Sequence, residues 1–207
     1  MKALARPLAA LLAPALALAV GCASQPEPPA VYVPPRLDLA RYETLGIVEF
    51  AGSAKTGIGA MASGEFLAAL HAAQPGTPVL ELATTNGRLT PEEARVLAKR
   101  ERVDAVFVGE LVESKSKPRV AIDPSFATGS VASERKAKIT VRLIDGATGA
   151  SLWSATSERT IPVVAADGAF GALPNVRTTP VEEARAILVR DLVHDVTFDF
   201  RPQWVKR

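Results

Sequence analysis

The sequence predicts an α/β (α+β) domain in which a mixed sheet of about five strands, one antiparallel hairpin included, is packed against three helices. Three observations lead to this class. Short apolar runs alternate along the chain with stretches of helical period. Two of those stretches open with a Thr-Pro string typical of a helix N-terminus. Finally, a run of alternating polar and apolar residues leads through a glycine-containing turn into a second run, which indicates a hairpin.

Composition limits the class of protein. The chain has 207 residues, of which 48% are hydrophobic, and this excludes disorder over most of its length. A single cysteine excludes a disulfide framework and a thiolate zinc site, and two histidines leave few metal ligands. We therefore expect no cofactor, no metal and no small-molecule substrate.

The first 21 residues predict a signal peptide. Lys2 and Arg6 give the start a positive charge, and the apolar run that follows, residues 7–20, is too short for a helix to span a bilayer. Without Lys2 and Arg6, 22 of the 24 basic residues remain, against 22 acidic ones. A domain of balanced charge lacks the basic excess that nucleic-acid binding needs.

The end of the apolar run resembles the bacterial lipobox. It reads Leu18-Ala19-Val20-Gly21-Cys22, with leucine one position further from the cysteine than is usual. The resemblance implies that Cys22 becomes the acylated N-terminus and anchors the chain in a membrane. The residue after it, Ala23, implies by the same resemblance the outer membrane, with the protein facing the periplasm. Residues 22–36, rich in proline, are then a lipidated tether, and residues 37–207 form one globular domain.

The first half of that domain is read as strand, helix, strand, helix. The apolar run 45–50 predicts a buried strand, and residues 61–73 carry a helical stripe that ends at Pro75-Gly76. Residues 79–82 predict a second short strand. Thr90-Pro91-Glu92-Glu93 predicts a capping box, and the helix it opens runs to about Arg102.

The second half is read as three strands and a helix. Residues 104–112 are apolar almost throughout and predict a central strand. Residues 138–143 and 152–154 predict the two strands of the hairpin, joined by the turn at 145–149. Thr179-Pro180-Val181-Glu182 predicts a second capping box and a helix whose apolar face includes Val181, Ala184, Leu188 and Leu192.

Three stretches together, residues 45–50, 103–112 and 139–153, resemble a known group of lipoproteins. Curli-secretion-type lipoproteins and the outer-membrane lipoprotein activators of penicillin-binding proteins share this layout, and their domain is similar to the amino-terminal domain of the Tol–Pal translocation protein. The resemblance covers roughly residues 40–200. It implies a lipid-anchored, non-enzymatic assembly or adaptor module of the envelope, which works through an unidentified envelope protein or through self-association.

Two alternatives stay open within this group. One is an activator of a peptidoglycan synthase, which fits the domain size and the tether. The other is a subunit of a curli-type oligomeric secretion channel, whose hairpins would come from the loops at residues 113–135 and 161–178. The candidate parts of these loops, 120–133 and 161–176, are shorter than two membrane-crossing strands require and contain Asp and Pro.

Two sites with possible chemistry lack the patterns that catalysis or nucleotide binding needs. Residues 52–59 are rich in glycine, but the order of Lys55-Thr56 and Gly57 does not match a phosphate-binding loop. His194 lies between Asp191 and Asp195 with no nucleophile assigned to it, and His71 lies at the edge of an apolar stripe. We therefore predict no catalytic residues.

The C-terminal segment contains aromatic residues in a chain that has few. Phe198, Phe200 and Trp204 either fold back as a final strand onto the core or form a tail that contacts a partner. We keep these three residues as possible partner contacts.

Overall fold

The computed structural model describes residues 30–53, 55–83, 88–115, 119–123, 128–169 and 175–206; the side chains of 115–132, 165–177 and 206 are outside this description. Residues 1–29, with Cys22 and most of the tether, lie outside the described residues, so the signal peptide and the anchor stay predictions. Residues 34–203 form one compact unit, and β1 with the end of β9 belongs to a second.

The described residues form nine strands and three α-helices. The strands are β1 (Ala30–Val33), β2 (Leu45–Val48), β3 (Val79–Leu82), β4 (Ala105–Lys115), β5 (Arg119–Asp123), β6 (Thr128–Asp145), β7 (Ser151–Ala169), β8 (Asn175–Thr178) and β9 (Gln203–Lys206). The helices are α1 (Ile58–Ala73), α2 (Pro91–Glu101) and α3 (Val181–Val196), and a 3₁₀ turn follows at Phe198–Phe200.

Seven of the strands form one mixed sheet. The order is β3-β2-β4-β6-β7-β8, and β5 pairs with β6 beside the end of β4. Strand β2 runs parallel to both β3 and β4, whereas the remaining pairs are antiparallel. The predicted α/β (α+β) class, with its mixed sheet, antiparallel hairpin and three helices, is confirmed.

Helices cover both faces of this sheet. Helices α1 and α3 pack on one face over the larger core cluster, and α2 packs on the other over a smaller cluster. Four fully buried phenylalanines lie in the larger cluster: Phe50, Phe66, Phe107 and Phe200. Rings of Phe66 and Phe107 meet edge to face with centroids 5.2 Å apart, a favoured geometry for aromatic pairs.

The predicted hairpin is present, and its turn is held by one carboxylate. Asp145 Oδ1 accepts hydrogen bonds from the backbone N–H groups of Ala147 at 3.0 Å and Thr148 at 2.6 Å, and from the Thr148 hydroxyl at 2.7 Å. These bonds hold the pKa of Asp145 below its ordinary value. Gly149 has φ of +78°, which a side chain would disfavour.

The strands of this hairpin are much longer than the sequence indicated. Strands β6 and β7 have 18 and 19 residues, so each is about 60 Å long. The description of segments 113–135 and 161–178 as loops is wrong for their described residues, because parts of both lie in β4 to β8. Ala, Gly and Asp in these segments have low β-propensity, and the pairing of β6 with β7 joins residues as far apart as Thr128 and Ala169.

The second predicted capping box is also wrong. Helix α3 begins at Val181, with Pro180 at the N-cap and no side-chain capping bond. The Thr179 N–H donates to the Val163 carbonyl at 2.9 Å, and the Glu182 carboxylate pairs with Arg185. The Thr179 N–H and the Glu182 carboxylate, which would form one of the two hydrogen bonds of a capping box, are therefore both engaged elsewhere. At Thr90 the box forms as predicted, with Glu93 accepting from the Thr90 N–H at 2.7 Å.

Candidate interaction site

The outer edge of β7 is the longest unpaired strand edge that the described residues contain. From Trp153 to Pro162 each residue pairs with β6 on one side, and no described strand pairs with the other side until β8 joins at Val164. We call Trp153–Pro162 the open edge. Unpaired backbone N–H and C=O groups along such an edge can accept another strand.

The open edge lacks some of the protection that edge strands usually carry. Its first half, Trp153–Ser157, has no charged residue and no proline. Charges enter only at Glu158 and Arg159, and Pro162 ends the open edge beside an irregularity in the β6–β7 register. Natural sheets discourage edge-to-edge pairing with charges, proline and bulges, so Trp153–Ser157 is the part most suited to binding a strand.

An ion pair fixes α3 to the middle of the open edge. Arg159 donates from Nε and Nη2 to the two carboxylate oxygens of Asp195, both at 2.8 Å, and the Ser157 hydroxyl donates to Asp195 at 2.7 Å. The hydrogen bond from Arg159 is the largest cause that holds the pKa of Asp195 below its ordinary value. These bonds tie the middle of the open edge to α3.

The start of the open edge is anchored in the core. Trp153 donates from its indole N–H to Asp199 at 3.1 Å, and its ring lies 4.7 Å from that of Phe200, centroid to centroid. Trp153 is partly buried, while its neighbours Leu152 and Ser154 are exposed. The backbone at this point is rigid because its largest side chain is fixed by both packing and a hydrogen bond.

A nearly buried charge cluster lies where α3 meets β4 and β6. Glu113 accepts from Arg135 and, at 3.2 Å, from Arg185 Nε, and Arg185 also pairs with Glu182. The side chains of Glu113 and Arg185 are each only 10% exposed, and Glu113 is the nearly buried carboxylate that the two arginines share. This cluster joins α3 to β4 and β6 just before these strands extend beyond the helix.

The structure separates the three C-terminal aromatic residues. Phe200 is fully buried among Phe66, Phe107 and Trp153, so it is a core residue and offers no surface for a partner. Phe198 is about half exposed, and Trp204 lies in β9, where its ring meets Tyr32 of β1 edge to face. Phe198 and Trp204 therefore remain as possible contacts.

The residues considered for catalysis are not arranged for it. His194 is exposed, and its Nδ1 lies 4.0 Å from Asp195 Oδ1. Ser157 donates to the Asp195 carboxylate, which Arg159 also binds, and not to a histidine, so the described residues do not place a serine–histidine pair here. His71 lies on the exposed side of α1.

Close packing explains the glycines at residues 52–59. A Cβ on Gly59 would lie 2.1 Å from the Phe50 carbonyl oxygen, and one on Gly52 would lie 2.8 Å from the Gly59 nitrogen. Gly57 has φ of +59° and precedes α1 without a side-chain cap. These glycines let the loop approach the helix closely, which accounts for them without a bound phosphate.

A crevice of about 490 Å³ lies between α1 and the carboxyl ends of β2 and β3, the edge at which open α/β sheets bind ligands. Its polar side chains include Glu49 and Glu81, both exposed, and Ser63, whose hydroxyl lies within hydrogen-bonding distance of the carbonyls of Gly59 and Ala60. We assign no reaction to these groups.

In the described part of the chain, no three His, Cys, Asp or Glu residues are grouped as a metal site would require. Nor does that part contain a helix with the length and apolar character needed to cross a membrane.

Sequence reasoning missed the open edge. The sequence did carry one signal: after a hairpin turn, residues 152–157 are uncharged and largely alternate between apolar and polar side chains. That pattern predicts a strand with one wet face, but it does not show whether a further strand pairs beside it. Only the sheet order supplies that information.

Comparisons with known proteins give similarity of structure only. No family model and no curated protein matches the sequence. Similar solved structures include the PelC dodecamer from Paraburkholderia phytofirmans, which is 16% identical, covers 83% of this chain and 96% of that one, and has a TM-score of 0.45. A lipoprotein from Neisseria meningitidis is 18% identical, with 57% and 83% covered and a TM-score of 0.36. A minor lipoprotein from Acinetobacter baumannii is 12% identical, with 76% and 91% covered and a TM-score of 0.35. At these values the similarities carry no inference about function.

Proposed function

We propose that this protein is a lipid-anchored, non-enzymatic interaction module of the outer membrane, which faces the periplasm and binds an envelope protein by strand addition at the open edge. The observation that carries the proposal is the ten-residue open edge itself, unpaired by any described strand and uncharged over Trp153–Ser157. Strand addition gives affinity through backbone hydrogen bonds and needs no catalytic group.

The anchor rests on the N-terminal sequence. Cys22 is the only cysteine of the chain and stands where lipobox processing would place the new N-terminus. Two or more acyl chains hold a protein stably at a bilayer. Growth with labelled palmitate tests this directly: we expect label on the unaltered chain and none on Cys22→Ser. Equal labelling of the two, or release of the unaltered protein with the soluble periplasmic fraction, would refute the anchor.

The open edge is tested by site-specific photocrosslinking in cells. We place a photoreactive residue at Ser154, on the open edge, and as a matched control at Lys138, which is also exposed but lies in β6 and pairs with β4 on one side and β7 on the other. We expect a discrete adduct from Ser154 and none from Lys138. The adduct should disappear when Thr156→Lys puts a charge on the open edge, provided that circular dichroism shows an unchanged fold. An adduct that survives this charge, or equal adducts from both positions, would contradict the proposal.

A subunit of an oligomeric secretion channel is the second candidate. It is favoured by one observation: the described parts of segments 113–135 and 161–178 are strands, and β5–β6 and β7–β8 make two hairpins per chain, as a curli-type channel would require. Detergent extraction followed by native mass measurement and planar-bilayer recording separates the candidates. A stable ring of many copies with single-channel conductance would refute the adaptor proposal and favour the secretion channel.

A further inference from the structure

The two-stranded sheet of β1 and β9 exposes an unusual density of large hydrophobic side chains. We call Ala30–Val33 with Gln203–Lys206 the terminal ribbon. The described residues expose twelve large hydrophobic side chains, and five of them lie within these eight positions. The five are Val31, Tyr32, Val33, Trp204 and Val205. Such a concentration of exposed hydrophobic side chains marks a surface that binds another molecule or a membrane.

The terminal ribbon is not stabilised by burial within itself. All four residues of β1 are exposed, Tyr32 at 51%, and Trp204 is 68% exposed. Its internal contact is the edge-to-face pair of Tyr32 and Trp204, with centroids 5.3 Å apart. An isolated two-stranded sheet is marginally stable in water, so the terminal ribbon needs an external surface to gain from its apolar residues.

We propose that this surface is the headgroup region of the bilayer that holds the anchor, an inference that rests on the proposed acylation of Cys22. Only eight positions separate Cys22 from Ala30, so a fully extended chain keeps β1 within about 30 Å of the anchored residue. A ribbon held this close to a bilayer meets it at high local concentration. No such constraint brings a second copy or another protein to the terminal ribbon.

The chemistry of the terminal ribbon suits a lipid interface. Tyrosine and tryptophan are enriched at headgroup level, where an apolar ring and a polar O–H or N–H are both accommodated. Three valines flank the aromatic pair, and Lys206 and Arg207 follow them in the sequence. Basic residues near an apolar stretch in sequence add attraction to anionic phospholipid. The acyl anchor and the terminal ribbon would then make two attachments and limit how far the domain can move from the membrane.

The test uses the single cysteine. Residues 22–207, produced without residues 1–21 so that Cys22 is neither processed nor acylated, are coupled through the Cys22 thiol to maleimide-bearing lipid in vesicles of phosphatidylethanolamine and phosphatidylglycerol, whose acyl chains are brominated or unlabelled. Bromine quenches tryptophan only at near contact, so a ribbon that is merely close to the surface is not quenched. We expect Trp204 emission to shift to the blue on coupling and to be quenched by the brominated lipid. Both changes should be lost in Trp204→Phe, which keeps partly buried Trp153 as an internal control.

Two results would overturn the inference. The first is unquenched Trp204 emission from chain that is fully coupled. The second is a blue shift that appears without lipid and follows protein concentration in step with self-association in the ultracentrifuge, because a second copy would then cover the terminal ribbon. Chemical coupling replaces cellular acylation, so a failure of palmitate labelling would refute the anchor and leave this measurement interpretable by itself.

Discussion

Arg185 on α3 donates from Nε to the Glu113 carboxylate on β4 at 3.2 Å, and both side chains are about nine-tenths buried. Glu113 also accepts from Arg135, so one carboxylate contacts two arginines near the point where the strands leave the cover of the helix, and the exposed Glu182 supplies Arg185 with a second carboxylate. The pair therefore links the position of α3 to that of the extended strands.

Removal of this carboxylate is expected to be costly. Glu113→Gln removes the carboxylate that pairs with Arg135 and one of the two that pair with Arg185, both arginines being nearly buried, and breaking a buried pair in this way typically costs about 3–5 kcal/mol. Urea unfolding followed by circular dichroism measures the loss. The control is Glu182→Gln, because Glu182 is 74% exposed and its pair should contribute less than about 1 kcal/mol. Equal losses in the two variants would show that the cluster is not effectively buried.

The two Thr-Pro strings should respond differently to the same substitution. Thr90→Ala removes a side chain that accepts from the Glu93 N–H, and the loss of an N-cap costs about 1 kcal/mol. Thr179→Ala should cost clearly less, since α3 has no side-chain cap and Thr179 acts through its backbone N–H, which alanine retains. The free energies of unfolding of both variants check this. A larger loss at Thr179 would mean that its side chain caps α3 in solution.

Two glycines of α1, one in its first turn and one in its middle, should change stability in opposite directions when replaced by alanine. Gly64→Ala meets no atom within 4 Å and improves helix propensity, so we expect a gain of about 0.5–1 kcal/mol. Gly59→Ala would put Cβ at 2.1 Å from the Phe50 carbonyl oxygen and must displace α1 or its preceding loop, so we expect destabilisation. Thermal unfolding distinguishes them by a higher and a lower Tm. Stabilisation by both would mean that the close approach at Gly59 is absent.

Acid should selectively remove the contribution of Asp195. Its pKa in the folded protein lies below the ordinary value of 3.8, chiefly because Arg159 donates to it. A lowered carboxyl pKa contributes stability above the unfolded pKa, and this contribution is lost as the pH falls through the folded pKa. Asp195→Asn should therefore be less stable than the unaltered protein at pH 7, and the difference should shrink as the pH falls from about 4 through the lower pKa of the folded protein. Unfolding free energies across this range provide the measurement, with Asp191→Asn, one turn earlier on α3, as the control. A difference that does not change with pH would mean that the interaction does not depend on charge.

Local signals predicted local structure well. Thr90 and Glu93 form the capping box, and Asp145 with Thr148 and Gly149 forms the hairpin turn, because each motif is completed by residues a few positions apart. The same reasoning was wrong at Thr179, where Val163 and Arg185 compete for the groups that a cap would use. A competing hydrogen-bond or ion-pair partner that is distant in sequence cannot be read from a local sequence motif.

For the candidate surfaces, too, the sequence shows the local composition, whereas the tertiary structure decides which groups are exposed. The composition of residues 153–157 was visible in the sequence, but the open edge exists because no described strand pairs beside it. Likewise Phe198, Phe200 and Trp204 look alike in the sequence, although Phe200 is fully buried and Trp204 is exposed.

By itself the sequence determined the α/β class, the hairpin, the first capping box and the case for an anchor at Cys22, because each depends on hydrophobic period or on neighbouring residues. The tertiary structure alone decided how far β6 and β7 extend, which strand edge stays open and which aromatic side chain enters the core. Those outcomes depend on backbone pairing and packing between residues far apart in the chain, whose free energy no short stretch of sequence contains.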